Sequence, residues 1–356
     1  MFKHKSKYKL NWQSKLSGYI TDLVWSPFGD YLAASSASGE VQVWRSPIDS
    51  QTEAQVLLEL SDKAIDCLAF CHDGKYLAAT GQNGQVKIWR STGSEDFTLY
   101  QTIDYQVEHP SIWIDRLAWH PRSYLLAFNL GREVQVWDIA QNKMVAALDF
   151  EESTVSDLGW NFDGSLLAVG GKNRVKAWDA KDWLKAPLIF ELASASEAIA
   201  WSKDGKYLAS ANQDWTVMLA EIESNQVPDP WLLSGFPGKI RHLAWSDCYV
   251  KKHGTPLFAV ASANGVAVWI KEKGQKHWQC WILDLHKKMV RSVAFQPNSL
   301  LLATVADDGL LCLWYEAVEI VQIIKQESPL CCLAWHPQAD RLACGSESGE
   351  IVIYAV

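Results

Sequence analysis

Short apolar segments recur along this chain, each with the period-two alternation of a half-buried strand. One register reads VQVW at 41–44, VKIW at 86–89, VQVW at 134–137, VKAW at 175–178, VAVW at 266–269 and LCLW at 311–314. VMLA at 217–220 and IVIY at 351–354 complete it. Its last positions, from Trp44 to Tyr354, are spaced 40–49 residues apart. A second register lies upstream of each segment, with Trp25, Phe70, Trp119, Trp160, Trp201, Trp245, Phe295 and Trp335 as its aromatics. Between the registers come a turn and a strand of small residues, as in SPFGDYLAAS (26–35) and SKDGKYLASA (202–211). Asp73-Gly74 and Asp204-Gly205 supply the chain reversals.

Each repeat therefore predicts an inner strand, a small-residue strand and a third strand ending in an aromatic. Candidate outer strands follow seven of these triplets: 54–60, 97–103, 143–150, 186–193, 229–235, 277–285 and 319–325. The eighth triplet has none after it. Tyr8, Leu10 and Trp12 alternate with Lys9, Asn11 and Gln13, so an N-terminal strand is expected to complete the last unit. Pairing the two ends in this way would close a ring and leave no inner edge bare. Small Ala and Ser residues suit strands crowded near an axis, and large aromatics fill the wedge between neighbouring units. The two registers absorb most of the 19 Trp.

A period of this length with four strands per unit resembles the WD40 repeat family over essentially the whole chain. The literal Trp-Asp pair survives at Trp137-Asp138 and Trp178-Asp179, whereas Trp44 and Trp89 precede Arg and Trp314 precedes Tyr. The family's Gly-His before the first strand is missing, so the hydrogen-bond network built on that His is expected to be absent. The resemblance implies an all-β fold: a closed β-propeller of eight four-stranded blades, forming one domain over 1–356. The alternative is seven blades with one degenerate unit, blade five being the weakest because Ala220 replaces its aromatic. Blade six is expected to carry a long first loop at 246–256.

Hydrophobic residues make up 48% of the chain and charged residues 21%, a globular composition. The net charge of −8 disfavours nucleic acid as a partner. No stretch approaches the roughly 20 apolar residues of a membrane span. The basic start lacks the apolar core of a signal peptide. A cytoplasmic protein with reduced cysteines is expected.

No catalytic motif stands out: there is no Gly-rich phosphate loop, HExxH or GxSxG. The expected protein is not an enzyme and needs no cofactor. Cys71, His72 and His120 fall in turns after first strands, and metal handling there is the competing reading. Trp119-His120-Pro121 and Trp335-His336-Pro337 repeat one turn, however, which favours structure over ligation. Cys67 and Cys71 stand roughly 13 Å apart on an extended strand, too far to share one zinc. Cys331 and Cys332 are expected to point to opposite sides.

Propellers serve as platforms because a rigid scaffold presents many loops. By the family pattern, exposed positions follow the first apolar residue of each inner strand: Thr21, Asp66, Asp115, Ser156, Glu197, Arg241, Arg291 and Cys331. Asp66, Asp115 and Glu197 fall in blades two, three and five, and Arg241 and Arg291 in blades six and seven. This predicts a charge-divided docking face. Trp113 and Trp215 lie outside the core registers and are candidate anchors, although Trp215 equally suits the gap left by Ala220. Trp183 marks a second contact surface or packs under its own loop. The expected partners are proteins or peptides, bound by a monomeric propeller within a complex. Nucleic-acid binding through Arg241, Arg291 and Lys251-Lys252 is a second alternative.

Overall fold

The computed structural model describes residues 7–93, 96–105, 112–151, 153–222, 229–250, 254–275 and 277–356. Among them every regular element is a strand, and the strands form eight four-stranded sheets. The seven-blade alternative is excluded. In seven sheets the strands pair in chain order; blade one, for example, runs Ile20–Trp25, Tyr31–Ser36, Val41–Arg45 and Gln55–Leu58. Blade eight takes Leu330–Trp335, Arg341–Ser346 and Glu350–Ala355 from the far end of the chain. Its outer strand is the N-terminal Lys9–Lys15, antiparallel to Glu350–Ala355 with Lys9 opposite Ala355 and Lys15 opposite Glu350. A register shift between Leu10 and Trp12 breaks the expected alternation. Tyr8 and Trp12 are buried while Leu10 is exposed.

Two compact units divide the blades. Residues up to Leu60 with Arg241–Val356 hold blades six, seven, eight and one, and Ser61–Ile240 holds blades two to five. Within each unit, apolar clusters join consecutive blades. Val134, Val136 and Phe150 of blade three meet Leu158, Leu167 and Trp178 of blade four. Trp12, Ile351 and Ile353 of blade eight meet Trp25, Leu32 and Trp44 of blade one.

The Trp at the end of the first strand has a task that Phe cannot perform. Its indole N–H donates to a carbonyl of the preceding blade: Trp119 to Ala69 (2.9 Å), Trp160 to Ala118 (3.1 Å) and Trp201 to Gly159 (3.0 Å). Trp335 to Ala294 (3.1 Å) and Trp25 to Ala334 (3.2 Å) repeat the contact in the other unit. Each bond stabilises the seam by about 1 kcal/mol beyond the area buried.

Three local expectations need correction. Ser246–Tyr249 do not loop out, because the first strand of blade six extends over Ile240–Tyr249. Trp215 does not fill the place vacated at Ala220. It is 49% exposed, while Ala220 is buried with Phe190, Leu208 and Met218, and Trp201 and Ile222 pack alongside. Nor is the histidine network absent. In blade seven, His286 Nε2 lies 2.7 Å from Thr304 Oγ1, and His286 Nδ1 lies 3.2 Å from Asp308 Oδ1. Trp314 Nε1 donates to the same Thr304 hydroxyl at 3.2 Å. The residue before His286 is Leu285, not Gly, so the dipeptide is lost while the network is kept.

Candidate protein-docking face

Within a blade, one edge carries the start of the first strand and the turn between the second and third strands. Five of the inner strands begin with a bulge at the position singled out by sequence, Thr21 among them, whereas Asp115 and Ser156 precede the first strands of blades three and four. The ladder shifts between Ile65 and Cys67 and between Ser196 and Ala198, leaving Asp66 and Glu197 as extra residues. Val290/Ser292 and Leu330/Cys332 do the same at Arg291 and Cys331. A bulged residue is freed from the pleat and its side chain is re-aimed, which is how these positions come to flank the edge.

In the 61–240 unit this edge is acidic and organised by a residue the sequence reading overlooked. Arg116 Nη1 donates to the Asp115 carbonyl at 2.8 Å and stands 3.6 Å from Asp115 Oδ2, while Nε lies 3.5 Å from Asp157 Oδ1. Partial burial opposes its charge, but Asp157 and Asp115 more than offset this and raise its pKa. Burial raises the pKa of Asp66, and Asp115 adds to the rise while Arg116 opposes it. Burial likewise raises Asp157, held back by Arg116 and by the Ile199 and Leu158 amides, which donate to it at 2.8 and 3.0 Å. Three carboxylates around one guanidinium leave a net negative patch. Glu197 is not bare, since Lys239 Nζ lies 2.9 Å from its Oε1.

Trp113 stands at the rim of this patch, 58% exposed, with Ile114 next to it fully buried as its tether. Trp215 is the stronger anomaly. The turns between second and third strands each need a left-handed residue, and glycine holds that place in five of the eight, for example Gly39 and Gly349. Blade five instead puts Trp215 there at φ 64°. A bulky side chain in that region costs about 1 kcal/mol or more, and 49% of this one is left in water.

In the other unit, Arg241 is exposed and Arg291 is pinned. Arg291 Nε donates to Asp307 Oδ1 at 2.6 Å and Nη2 lies 3.5 Å from Glu347 Oε1. Arg291 is thus already neutralised within its own unit. Lys251-Lys252 lie outside the described residues. Trp183 packs edge-on against Trp160, centroids 5.9 Å apart, and so lies under its own loop.

The residues of the metal reading have other partners. His120 Nε2 stands 3.1 Å from the Gly164 carbonyl of the next blade, and a β-carbon on Gly164 would fall 2.1 Å from that nitrogen. His336 repeats the arrangement on Gly29. The repeated turn is therefore an interblade device. Cys71 Sγ donates to Asp73 Oδ1 at 3.1 Å and accepts from the Tyr76 amide; burial pushes its pKa up to about 11. His72 tilts against Tyr124. Cys331 and Cys332, expected on opposite sides, are instead neighbours, with sulfurs 3.9 Å apart.

A profile of the WD domain, G-beta repeat, matches residues 142–179, 194–219, 278–315 and 319–354. One of the anaphase-promoting complex subunit 4 WD40 domain matches 23–107. With the eight sheets, these matches define a β-propeller repeat protein. The chain belongs to the WD40 repeat family. It is similar to Protein FIZZY-RELATED 2 of Arabidopsis thaliana, 23% identical over 263 residues, which is 72% of this chain and 52% of that protein. It is also similar to Anaphase-promoting complex subunit cdc20 of Dictyostelium discoideum, 22% identical over 232 residues, 63% of this chain and 44% of that protein. WD repeat-containing protein VIP3 of Arabidopsis thaliana is 27% identical over 152 residues, 38% of this chain and 47% of that protein. The chain spans about half the length of these relatives. Among the described residues no helix is long and apolar enough to cross a membrane.

Proposed function

We propose that this chain is a non-catalytic scaffold, working as one propeller inside a larger cytoplasmic protein complex. It docks a Lys- or Arg-bearing segment of a partner on the loop edge of the 61–240 unit. The observation that carries this reading is Trp215: a large aromatic held in a strained turn and left half in water. Aromatic residues of this kind anchor interfaces because they bury much area at little entropic cost. Trp113 supplies a second anchor, and the patch of Asp66, Asp115 and Asp157 selects for positive charge and steers encounter. The similarity to relatives named for subunits of the anaphase-promoting complex supports a role in multi-protein assembly.

The test is affinity capture followed by titration of the identified partner against purified chain. Trp215→Gly and Trp113→Ala should each weaken binding by at least tenfold, and Asp66→Asn should slow association most at low salt. Full affinity in both Trp variants would refute the assignment of the face.

A further inference from the structure

Cys331 and Cys332 open the first strand of blade eight, Leu330–Trp335. On a regular strand adjacent side chains point apart. Here Leu330 faces Ser346 and Cys332 faces Gly345, so Cys331 is the extra residue of a bulge. The break in alternation swings both sulfurs to one side, 3.9 Å apart. Equivalent bulges hold Asp66-Cys67, Glu197-Ala198 and Arg291-Ser292. The bulge belongs to the fold, and the sulfur pair is particular to blade eight.

The neighbourhood is shaped around this pair. A β-carbon on Gly345 would lie 2.6 Å from Cys332 Sγ, so the missing side chain is the space the sulfur occupies. Cys331 Sγ donates to the Ile20 carbonyl at 3.1 Å and exchanges a hydrogen bond with Tyr19. Cys344 sits opposite Leu333 on the next strand, in electrostatic reach of Cys331. Cys331 is buried and Cys332 half-buried, which shields the pair while leaving one sulfur open to a small ligand.

Geometry separates two uses of the pair. A disulfide needs Cα atoms about 4.4–6.8 Å apart, and adjacent residues offer only about 3.8 Å. Two thiolates on one metal with bonds near 2.3 Å stand about 4.0 Å apart at the 120° angle of a three-coordinate ion, close to the observed 3.9 Å. Among the described residues no group of three or more His, Cys, Asp or Glu is placed to hold a metal. The four-ligand shell of structural zinc is therefore not supplied. Soft thiolates with few companions suit monovalent copper. We propose that Cys331 and Cys332 form a two-thiolate site for a thiophilic metal ion of low coordination number, the class of Cu(I). The site is independent of the docking face.

Binding must displace thiol protons. The ligands bind as thiolates, so affinity should increase with pH. The test is an anaerobic Cu(I) titration of the full chain against a chromophoric Cu(I) chelator. One ion per chain should bind, with a thiolate-to-copper absorption band. Cys331→Ser and Cys332→Ser should each weaken it at least 100-fold, whereas the exposed Cys280→Ser should leave it unchanged. Thermal midpoints of the variants establish that they fold. If a serine variant does not fold, Gly345→Ala, which crowds Cys332 Sγ, replaces it and should also weaken binding. The proposal is overturned by no stoichiometric uptake, by uptake retained in the variants of the pair, or by Zn(II) binding with equal affinity.

Discussion

Replacing His286 by Ala removes the centre of a four-residue chain in blade seven. The His286 side chain is 1% exposed and Thr304 is fully buried. Trp314 donates to Thr304 Oγ1, so the Thr304 hydroxyl gives its own proton to His286 Nε2, and the Nδ1 proton goes to Asp308. The neutral Nδ1–H imidazole is the form that fits. Its loss removes two hydrogen bonds of about 1 kcal/mol each and leaves a cavity costing about 1–2 kcal/mol more. The expected destabilisation is about 3–4 kcal/mol in urea unfolding monitored by Trp fluorescence. In a double-mutant cycle with Thr304→Val, about 1 kcal/mol should appear as coupling. The pH dependence has a definite sign. Burial lowers the His286 pKa despite the opposing pull of Asp308. Below about pH 6.5 the unfolded chain takes up a proton that the fold resists, so this contribution is present above that pH and lost as pH falls. The gap between wild type and His286→Ala should therefore narrow from pH 7 to pH 5. A loss under about 0.5 kcal/mol, or a gap independent of pH, would refute the network.

Trp215→Gly relieves about 1 kcal/mol of left-handed strain but gives up the half of the indole that is buried, so the urea midpoint should not rise while partner binding falls at least tenfold. Arg116→Gln strips the cation from three carboxylates. The pKa of Asp157, already raised by burial, should rise further, so the destabilisation should be larger at pH 7 than at pH 4.5. Equal losses at both pH values would contradict the shared ion pair. Gln322 grips the main chain of Tyr8 twice: its Oε1 accepts from the Tyr8 amide at 2.9 Å, and its Nε2 donates to the Tyr8 carbonyl at 2.8 Å. Gln322→Ala should speed amide hydrogen exchange across Lys9–Lys15 by roughly tenfold, the factor for about 1.4 kcal/mol of lost local stability.

The aromatic registers and small-residue strands were legible because they are local and periodic. Trp44, Trp89 and Trp314 lie where the pattern puts them, and even the N-terminal strand was readable from Tyr8 to Trp12. What escaped depends on partners distant in sequence or on departures from the pleat. His286 carries no Gly-His signature, because the network needs only the imidazole and its distance to Asp308. Cys331 and Cys332 were assigned to opposite faces because strict alternation was assumed, and a bulge suspends it. Arg116 is one residue beyond the position the family pattern singles out, and its pairing with Asp157 joins two blades. The strain at Trp215 is a backbone property that a Trp in a turn does not announce.

The eighth sheet joins residues 9–15 to residues 350–355. During synthesis the early strand leaves the ribosome long before its partner exists. It must wait, with its edge unsatisfied, through the making of seven blades. Closing so long a loop adds little entropy beyond that of a shorter one, but the sheet cannot form before residues 350–355 are made. Until then the exposed segment is open to any other strand edge nearby, so chaperone demand in the cell should track the speed at which the final blade is translated.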